Sequence, residues 1–174
     1  VLNGIPAIVV GIFIFGLLVV GNGQSAIYGA ISLAILMLPL VSRATQEVLA
    51  LVPRALREAS LALGVPRWRT IYSIVLPTAI GGILTGVVLA VARVAGETAP
   101  LLFTSSLASN AVSTDVTQPL ASLPLAIFTF SESPDPSDQA AGWAAALVLI
   151  AFVLAMNILA KTFAGRKRKK LEGG

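Results

Sequence analysis

The order of apolar and polar positions along this 174-residue chain predicts four membrane-spanning helices. Each is a run of mostly apolar residues close to the length of about 20 that a helix needs to cross the hydrocarbon core of a bilayer. The first two runs are short and are joined by the turn sequence GNGQS, which favours an antiparallel helical hairpin, and Pro39 is expected to kink or end the second helix. The predicted spans cover residues 5–20, 26–41, 78–97 and 141–160.

The composition is that of a membrane protein. Hydrophobic residues make up 56% of the chain, charged residues make up 11%, and the mean hydropathy is +0.91, whereas soluble domains carry about 25% charged residues. Cys and His are absent, which excludes disulfides, thiolate metal sites and catalysis by either side chain. The sequence also lacks a phosphate-binding loop of the ATPase type. We therefore expect an all-α, polytopic transmembrane helical bundle without a cofactor.

Lysine and arginine cluster in two segments, the loop 42–77 and the C-terminal tail 161–174. The segment 101–138 between the third and fourth spans contains acids but no Lys or Arg. Because basic residues accumulate on the cytoplasmic side of membranes, the loop and the C-terminus are predicted to be cytoplasmic and 101–138 external. The tail would also contact membrane lipid. The basic residues of the two segments are Arg43, Arg54, Arg57, Arg67, Arg69, Lys161, Arg166, Lys167, Arg168, Lys169 and Lys170.

The cytoplasmic loop is predicted to contain two helices separated by a sharp turn. Pro53 can occupy the first turn of a helix, and the sequence RALREASLAL that follows is rich in helix formers. Gly64 ends this helix and Pro66 prevents its continuation, so a second helix is expected from residue 67 into the third span. An amphipathic helix that only lies on the membrane surface is the alternative interpretation of this loop.

The sequence EASLALGVPRWRTIYSIVLP, residues 58–77, resembles the EAA loop of ABC-importer inner-membrane permeases of the MetI-like superfamily. The spacing of the family pattern is kept, and only Ser60 departs from it, as a small residue in place of Ala. The resemblance implies that this helix docks on an ATPase subunit. Glu58 would then offer a charge to the ATPase, Ala59 and Ser60 would permit close approach, and Gly64 would make the turn.

The third predicted span contains two charges, Arg93 and Glu97. A charge inside a bilayer costs about 3 kcal/mol or more, so such residues usually face a bundle interior or a water-filled route. At about 100° per residue, Gly82 and Gly86 lie on the same stripe as the two charges, and their spacing favours close helix packing. Arg93 and Glu97 are either an ion pair that holds the bundle together, or an anion-binding arginine positioned by a carboxylate.

The sequence ARVAGETAPLLFT, residues 92–104, resembles the matching stretch of PstA-type permeases of phosphate importers, and the likeness extends over nearly the whole chain. It implies that Arg93 lines a pathway for inorganic phosphate in a bacterial or archaeal plasma membrane. The implied partners are a second, PstC-like permease, a dimer of ATP-binding subunits and a periplasmic or lipid-anchored phosphate-binding protein, with no nucleic acid. Such permeases have about six spans, so two more are expected before Val1.

Three other functions stay open at this point. A related permease could carry another oxyanion, such as sulfate, molybdate or phosphonate. A membrane enzyme could use Glu97 beside Arg93, although no second catalytic group stands at a suitable spacing. A membrane scaffold without transport activity is the third. The external segment 104–138 is expected to pack on the partner permease, and its alternative role is contact with the binding protein.

Overall fold

The computed structural model describes residues 5–106 and 114–172, and the side chains among them as far as residue 162. Every regular element in these residues is a helix, which confirms the predicted all-α fold class. Two helices continue through one π-helical turn, α1 through Phe15–Val19 and α4 through Ile71–Val75. The helices are α1 Ala7–Ile14, α2 Ala26–Ala50, α3 Arg54–Ala62, α4 Arg67–Thr70, α5 Leu76–Val94, α6 Ala99–Thr104, α7 Leu123–Ser131 and α8 Pro136–Glu172.

Three stretches in the described residues are long and apolar enough to cross a membrane, namely Ala26–Ala50, Arg67–Val94 and Pro136–Thr162. The first predicted span, residues 5–20, corresponds to the shorter apolar helix Ala7–Val19. At 1.5 Å per residue this helix is about 20 Å long, less than the hydrocarbon thickness of about 30 Å. By length and composition, the described residues therefore contain three helices able to cross a membrane, as expected of a multi-pass membrane protein.

Of the two outcomes expected at Pro39, a kink or the end of the second helix, the helix end is not observed. Pro39 lies inside α2, which continues to Ala50. Proline removes one backbone hydrogen bond, but the residues that follow, RATQEVLA, are mostly good helix formers. The first part of the predicted loop 42–77 is therefore helical.

The predicted third span ends early. The helical stretch begins at Arg67, as expected for the second loop helix that leads into the span, but it ends at Val94 rather than at residue 97. A helix continued as far as Pro100 would bring the proline ring against the carbonyl of Gly96, and glycine itself disfavours helix. The chain instead turns at 95–96, and α6 begins at Ala99. Glu97 is thus outside the helix that carries Arg93.

The chain divides into two compact units, Val1–Pro39 with Val91–Ala155 and Leu40–Ala90 with Met156–Gly174. In the first unit, α1 packs closely against α6. A Cβ at Gly11 would lie 2.6 Å from the Cα of Pro100, so only glycine permits this approach. The ring of Phe15 meets that of Phe103 edge-on at 6.4 Å.

In the second unit, α2 packs against α5 through two glycines. A Cβ at Gly82 would lie 2.6 Å from Cγ1 of Val48, and one at Gly86 would lie 2.7 Å from Cβ of Ala44. One cluster of buried hydrophobic residues in this unit comprises Val52, Val75 and Ala79. The small stripe of α5 therefore serves close packing on α2, in the way that small residues bring helices together in membranes.

Candidate functional site

The predicted docking element is the helix α3 with the turn that ends it. Gly64 has φ +75°, in the left-handed region that favours glycine. Its N–H donates to the carbonyl of Leu61 at 3.0 Å, and the N–H of Val65 donates to that of Ser60 at 3.2 Å. This pair of bonds is a Schellman motif. Gly64 therefore ends the helix in the way the sequence predicts.

The two sides of α3 differ in exposure. Glu58 and Ala59 are exposed, and Ser60 is buried with 3% of its surface accessible. The Ser60 hydroxyl lies 2.9 Å from that of Thr70, which is also buried. The expected contact of Ser60 with a partner protein does not fit this position, because its side chain faces the chain's own α4. Its small size instead permits the approach of α3 to α4.

Arg57 ties α3 to the end of α2. Its Nη2 donates to the carbonyl of Leu49 at 2.9 Å, in the last turn of α2. A cation at this position also interacts favourably with the negative end of the helix dipole. Sequence reasoning missed this contact, although an arginine shortly after a helix end is a recognisable signal for it.

Arg93 lies in the last turn of α5, with an exposed side chain. Neither the ion pair nor the positioning contact expected between Arg93 and Glu97 is formed. In the part of the chain whose side chains the structure describes, the ion pair present joins Arg43 and Glu47 at 3.0 Å. The guanidinium of Arg93 is consequently available to a ligand, while Glu97 is half-buried in the connection to α6.

The stretch after Glu97 forms a buried connection that the sequence analysis did not predict. Pro100 and Thr104 are fully buried, and the Thr104 hydroxyl donates to the carbonyl of Pro100 at 2.8 Å. The start of α2 caps this segment, because the N–H of Ser25 donates to the carbonyl of Thr104 at 3.0 Å. A short helix of six residues between two turns has too weak a periodicity to be recognised from sequence.

The segment 101–138 contains two aspartates with lowered pKa values. The hydroxyl and the N–H of Thr117 donate to Asp115 and lower the pKa of its carboxyl. Asp135 precedes α8, accepts from the N–H and the hydroxyl of Ser137, both at 2.8 Å, and its pKa is lowered by these bonds. Asp135 is therefore an N-terminal cap. Residues 107–113 of this segment and the side chains of the basic tail 166–170 lie outside the described residues.

No group of acids able to hold a metal ion comes together within the described residues. Oxygen ligands from several carboxylates would be needed for a hard cation. The exposed guanidinium of Arg93 suits an anion better than a metal.

Sequence comparison connects this geometry to known proteins. The family described as "Binding-protein-dependent transport system inner membrane component" matches residues 1–169. A protein of Yersinia pestis, named "Phosphate transport system permease protein PstA", is 47% identical over 97% of this chain and 57% of its own length. Its namesake in Xylella fastidiosa is 45% identical over 97% of this chain and 59% of its own.

A third relative, "Phosphate transport system permease protein PstA 1" of Mycobacterium tuberculosis, is 46% identical over 98% of this chain and 57% of its own length. The chain thus spans somewhat more than half the length of these curated relatives. No solved structure is significantly similar to it. The family match extends over almost all residues, including the α3 turn and the segment around Arg93. The chain therefore belongs to the family of inner-membrane components of binding-protein-dependent transport systems.

Proposed function

We propose that this chain is part of a permease subunit of an ATP-driven importer of inorganic phosphate. The observation that carries the proposal is the identity of 45–47% to permeases named for phosphate transport, over 97% of this chain. At this similarity the residues around Arg93 and the α3 turn are expected to serve the same purpose. The chain is proposed to be a transport subunit rather than an enzyme, with ATP hydrolysed by a separate partner.

Arg93 is the proposed ligand for the transported anion. Its side chain is exposed at the end of an apolar helix, and no carboxylate in the described residues pairs with it. A guanidinium presents forked donors that match two oxygens of a phosphate, and it stays charged at any pH of interest. A charge placed so close to the bilayer is costly, and binding an anion offers a reason for retaining it.

The helix α3 is the proposed contact with the ATPase. Glu58 and Ala59 are exposed on this helix, and Ser60 together with Arg57 holds the helix against α4 and the end of α2. A helix held by these contacts would move together with the rest of the chain when a bound partner moves. On this proposal α3 transmits the conformational change of the ATPase to the permease, and Gly64 sets the angle at which the chain turns back.

The proposed orientation follows the distribution of basic residues. Loop 42–77 and the C-terminus would be cytoplasmic, and 101–138 would be external. The proposed partners are a second homologous permease, two ATP-binding subunits and an external phosphate-binding protein.

Cysteine labelling tests the proposed orientation. A cysteine introduced at Leu63, which is 83% exposed, should react with a membrane-impermeant reagent only from the cytoplasmic side. Thr129 in α7, also exposed, offers the matched external position.

Uptake of labelled phosphate tests the proposed substrate. The full-length protein would be reconstituted in vesicles with its partner permease, ATPase and binding protein, and uptake would be measured against an excess of unlabelled phosphate, sulfate, molybdate or a phosphonate. We expect unlabelled phosphate alone to compete strongly. Uptake that is suppressed more by sulfate or molybdate would assign the chain to a permease for another oxyanion.

A further inference from the structure

A groove of about 440 Å³ lies beside the α3 turn in the second unit. Arg57 and Arg67 stand on its walls, and Leu61, Ile71 and Val75 provide much of its apolar surface. Polar and charged groups are thus placed around a floor of hydrocarbon side chains. This combination is typical of a site for an amphiphile, because a charged head and an apolar tail each find a matching surface.

The charge of the groove is positive. Its lining, which falls wholly within the described residues, contains two arginines and no acid. The segment 40–90 carries only two acids: Glu47 is paired with Arg43, and Glu58 is exposed on α3 outside the lining. Arg57 donates one N–H to the carbonyl of Leu49, but a guanidinium has further N–H donors that can bind an anion. The groove therefore favours an anion bearing several oxygens.

Two aromatic residues indicate the depth of this groove in the membrane. Trp68 and Tyr72 are 64% and 67% exposed, and they stand four residues apart on the helical stretch that also carries Arg67 and Ile71. Exposed Trp and Tyr are enriched where a spanning helix passes through the lipid headgroups. The guanidiniums are therefore at headgroup level, and the apolar floor extends along the start of a spanning helix.

We propose that this groove binds one anionic phospholipid, with the phosphate of its headgroup between Arg57 and Arg67 and an acyl chain along Leu61, Ile71 and Val75. Basic pockets beside spanning helices are suited to such lipids. The lipid would fill the space between α3 and α4 and support the docking helix. The proposal concerns a site apart from Arg93 and does not depend on which ion is transported.

Lipid retention measured by native mass spectrometry tests the site. The full-length protein in detergent would be incubated with phosphatidylglycerol or phosphatidylcholine, and the fraction that keeps one bound lipid would be measured. We expect phosphatidylglycerol to be retained preferentially. Arg67→Gln should reduce its retention about fivefold, the effect of removing one cation near a headgroup. Arg67→Lys, which keeps the charge, should retain most of it.

Arg69→Gln is the matched control, because Arg69 is exposed on the same helix but does not line the groove. It should leave retention close to wild type, and the basic tail contributes equally in every variant. Equal losses in the two glutamine variants would reduce the effect to general surface charge and overturn the proposal. So would equal retention of both lipids. Unchanged lipid retention with weaker co-purification of the ATPase in Arg67→Gln would assign the groove to an acidic group of that partner instead.

Discussion

The hydroxyl of Ser60 lies 2.9 Å from the hydroxyl of Thr70, and both residues are buried. The Thr70 hydroxyl also donates to the carbonyl of Pro66 at 3.3 Å. Since that bond uses the single proton of Thr70, Ser60 is the donor within the pair. The one position at which the proposed docking loop departs from the family pattern thus has a hydrogen-bond partner ten residues further along the chain.

This pair predicts an asymmetry between two substitutions. Ser60→Ala should cost about 1 kcal/mol or less, because Thr70 keeps its bond to Pro66. Thr70→Val should cost about 1–3 kcal/mol, since it leaves the buried Ser60 hydroxyl without its acceptor. The double variant should recover part of the loss, and Thr70→Ser should stay close to wild type. Denaturant unfolding in detergent measures all four; additive single costs would show that the hydroxyls do not interact.

Gly64 provides a second test of the docking turn. An added Cβ would meet no atom within 4 Å, so any penalty must come from φ +75° alone. Gly64→Leu should cost about 1–2 kcal/mol and weaken ATPase binding, because the left-handed conformation crowds a Cβ. Gly64→Asn is the matched control, since asparagine tolerates this conformation. Co-purification of the ATPase with each variant measures the effect. Equal binding by both variants would indicate that the turn does not determine docking.

The glycines of α5 should tolerate no larger residue at their contacts with α2. We expect Gly86→Ala to cost about 1–3 kcal/mol of stability, because its methyl would overlap Cβ of Ala44, which cannot rotate away. Ala44→Gly should restore the loss. Gly16→Ala is the control, as nothing lies within 4 Å of its added Cβ. Thermal unfolding midpoints compare the variants. An unaltered midpoint for Gly86→Ala would contradict the close approach.

Asp135 predicts a pH-dependent helix start. Hydrogen bonds from Ser137 lower the pKa of this carboxyl below its ordinary value of 3.8. The ionised cap therefore stabilises the start of α8 above pH 3.8, and this contribution is lost as the pH falls through the lower, folded-state pKa. Amide exchange at the start of α8 should accelerate in acid relative to Asp135→Asn, which keeps the acceptor but does not titrate. Identical pH profiles would show that the cap does not titrate there.

The sequence was sufficient for the features that depend on local rules. Composition and run length identify spanning helices, and Pro53 with Gly64 delimits α3. Both are local because a helix cap and an apolar run depend only on neighbours in the chain. The left-handed conformation of Gly64 and its capping bonds then match the expected turn.

Sequence reasoning failed where distant residues decide the structure. The end of α5 at Val94 is a different kind of failure, because Gly96 and Pro100 were local signals and the prediction followed helical periodicity to Glu97 instead. The inward orientation of Ser60 depends on Thr70, and no pattern within α3 reveals that partner. The burial of Thr104 likewise depends on contacts made by the start of α2, through Ser25.

Substitutions of Arg93 and Glu97 distinguish an anion-binding role of Arg93 from a purely structural ion pair between the two residues. Because no bond joins them in the described structure, Glu97→Gln should leave phosphate uptake close to wild type. Arg93→Lys should retain part of the uptake, since an ammonium keeps the charge but loses the forked donors. If the two residues formed a stabilising ion pair, Arg93→Gln and Glu97→Gln would each lower the unfolding midpoint by a similar amount.

Phosphate uptake by Arg93→Gln is the most direct measurement. In vesicles that contain the complete transporter, we expect this variant to take up no labelled phosphate, while it assembles with the ATPase subunit at wild-type yield and unfolds at the wild-type temperature. Uptake at the wild-type rate would remove Arg93 from the pathway and contradict the account.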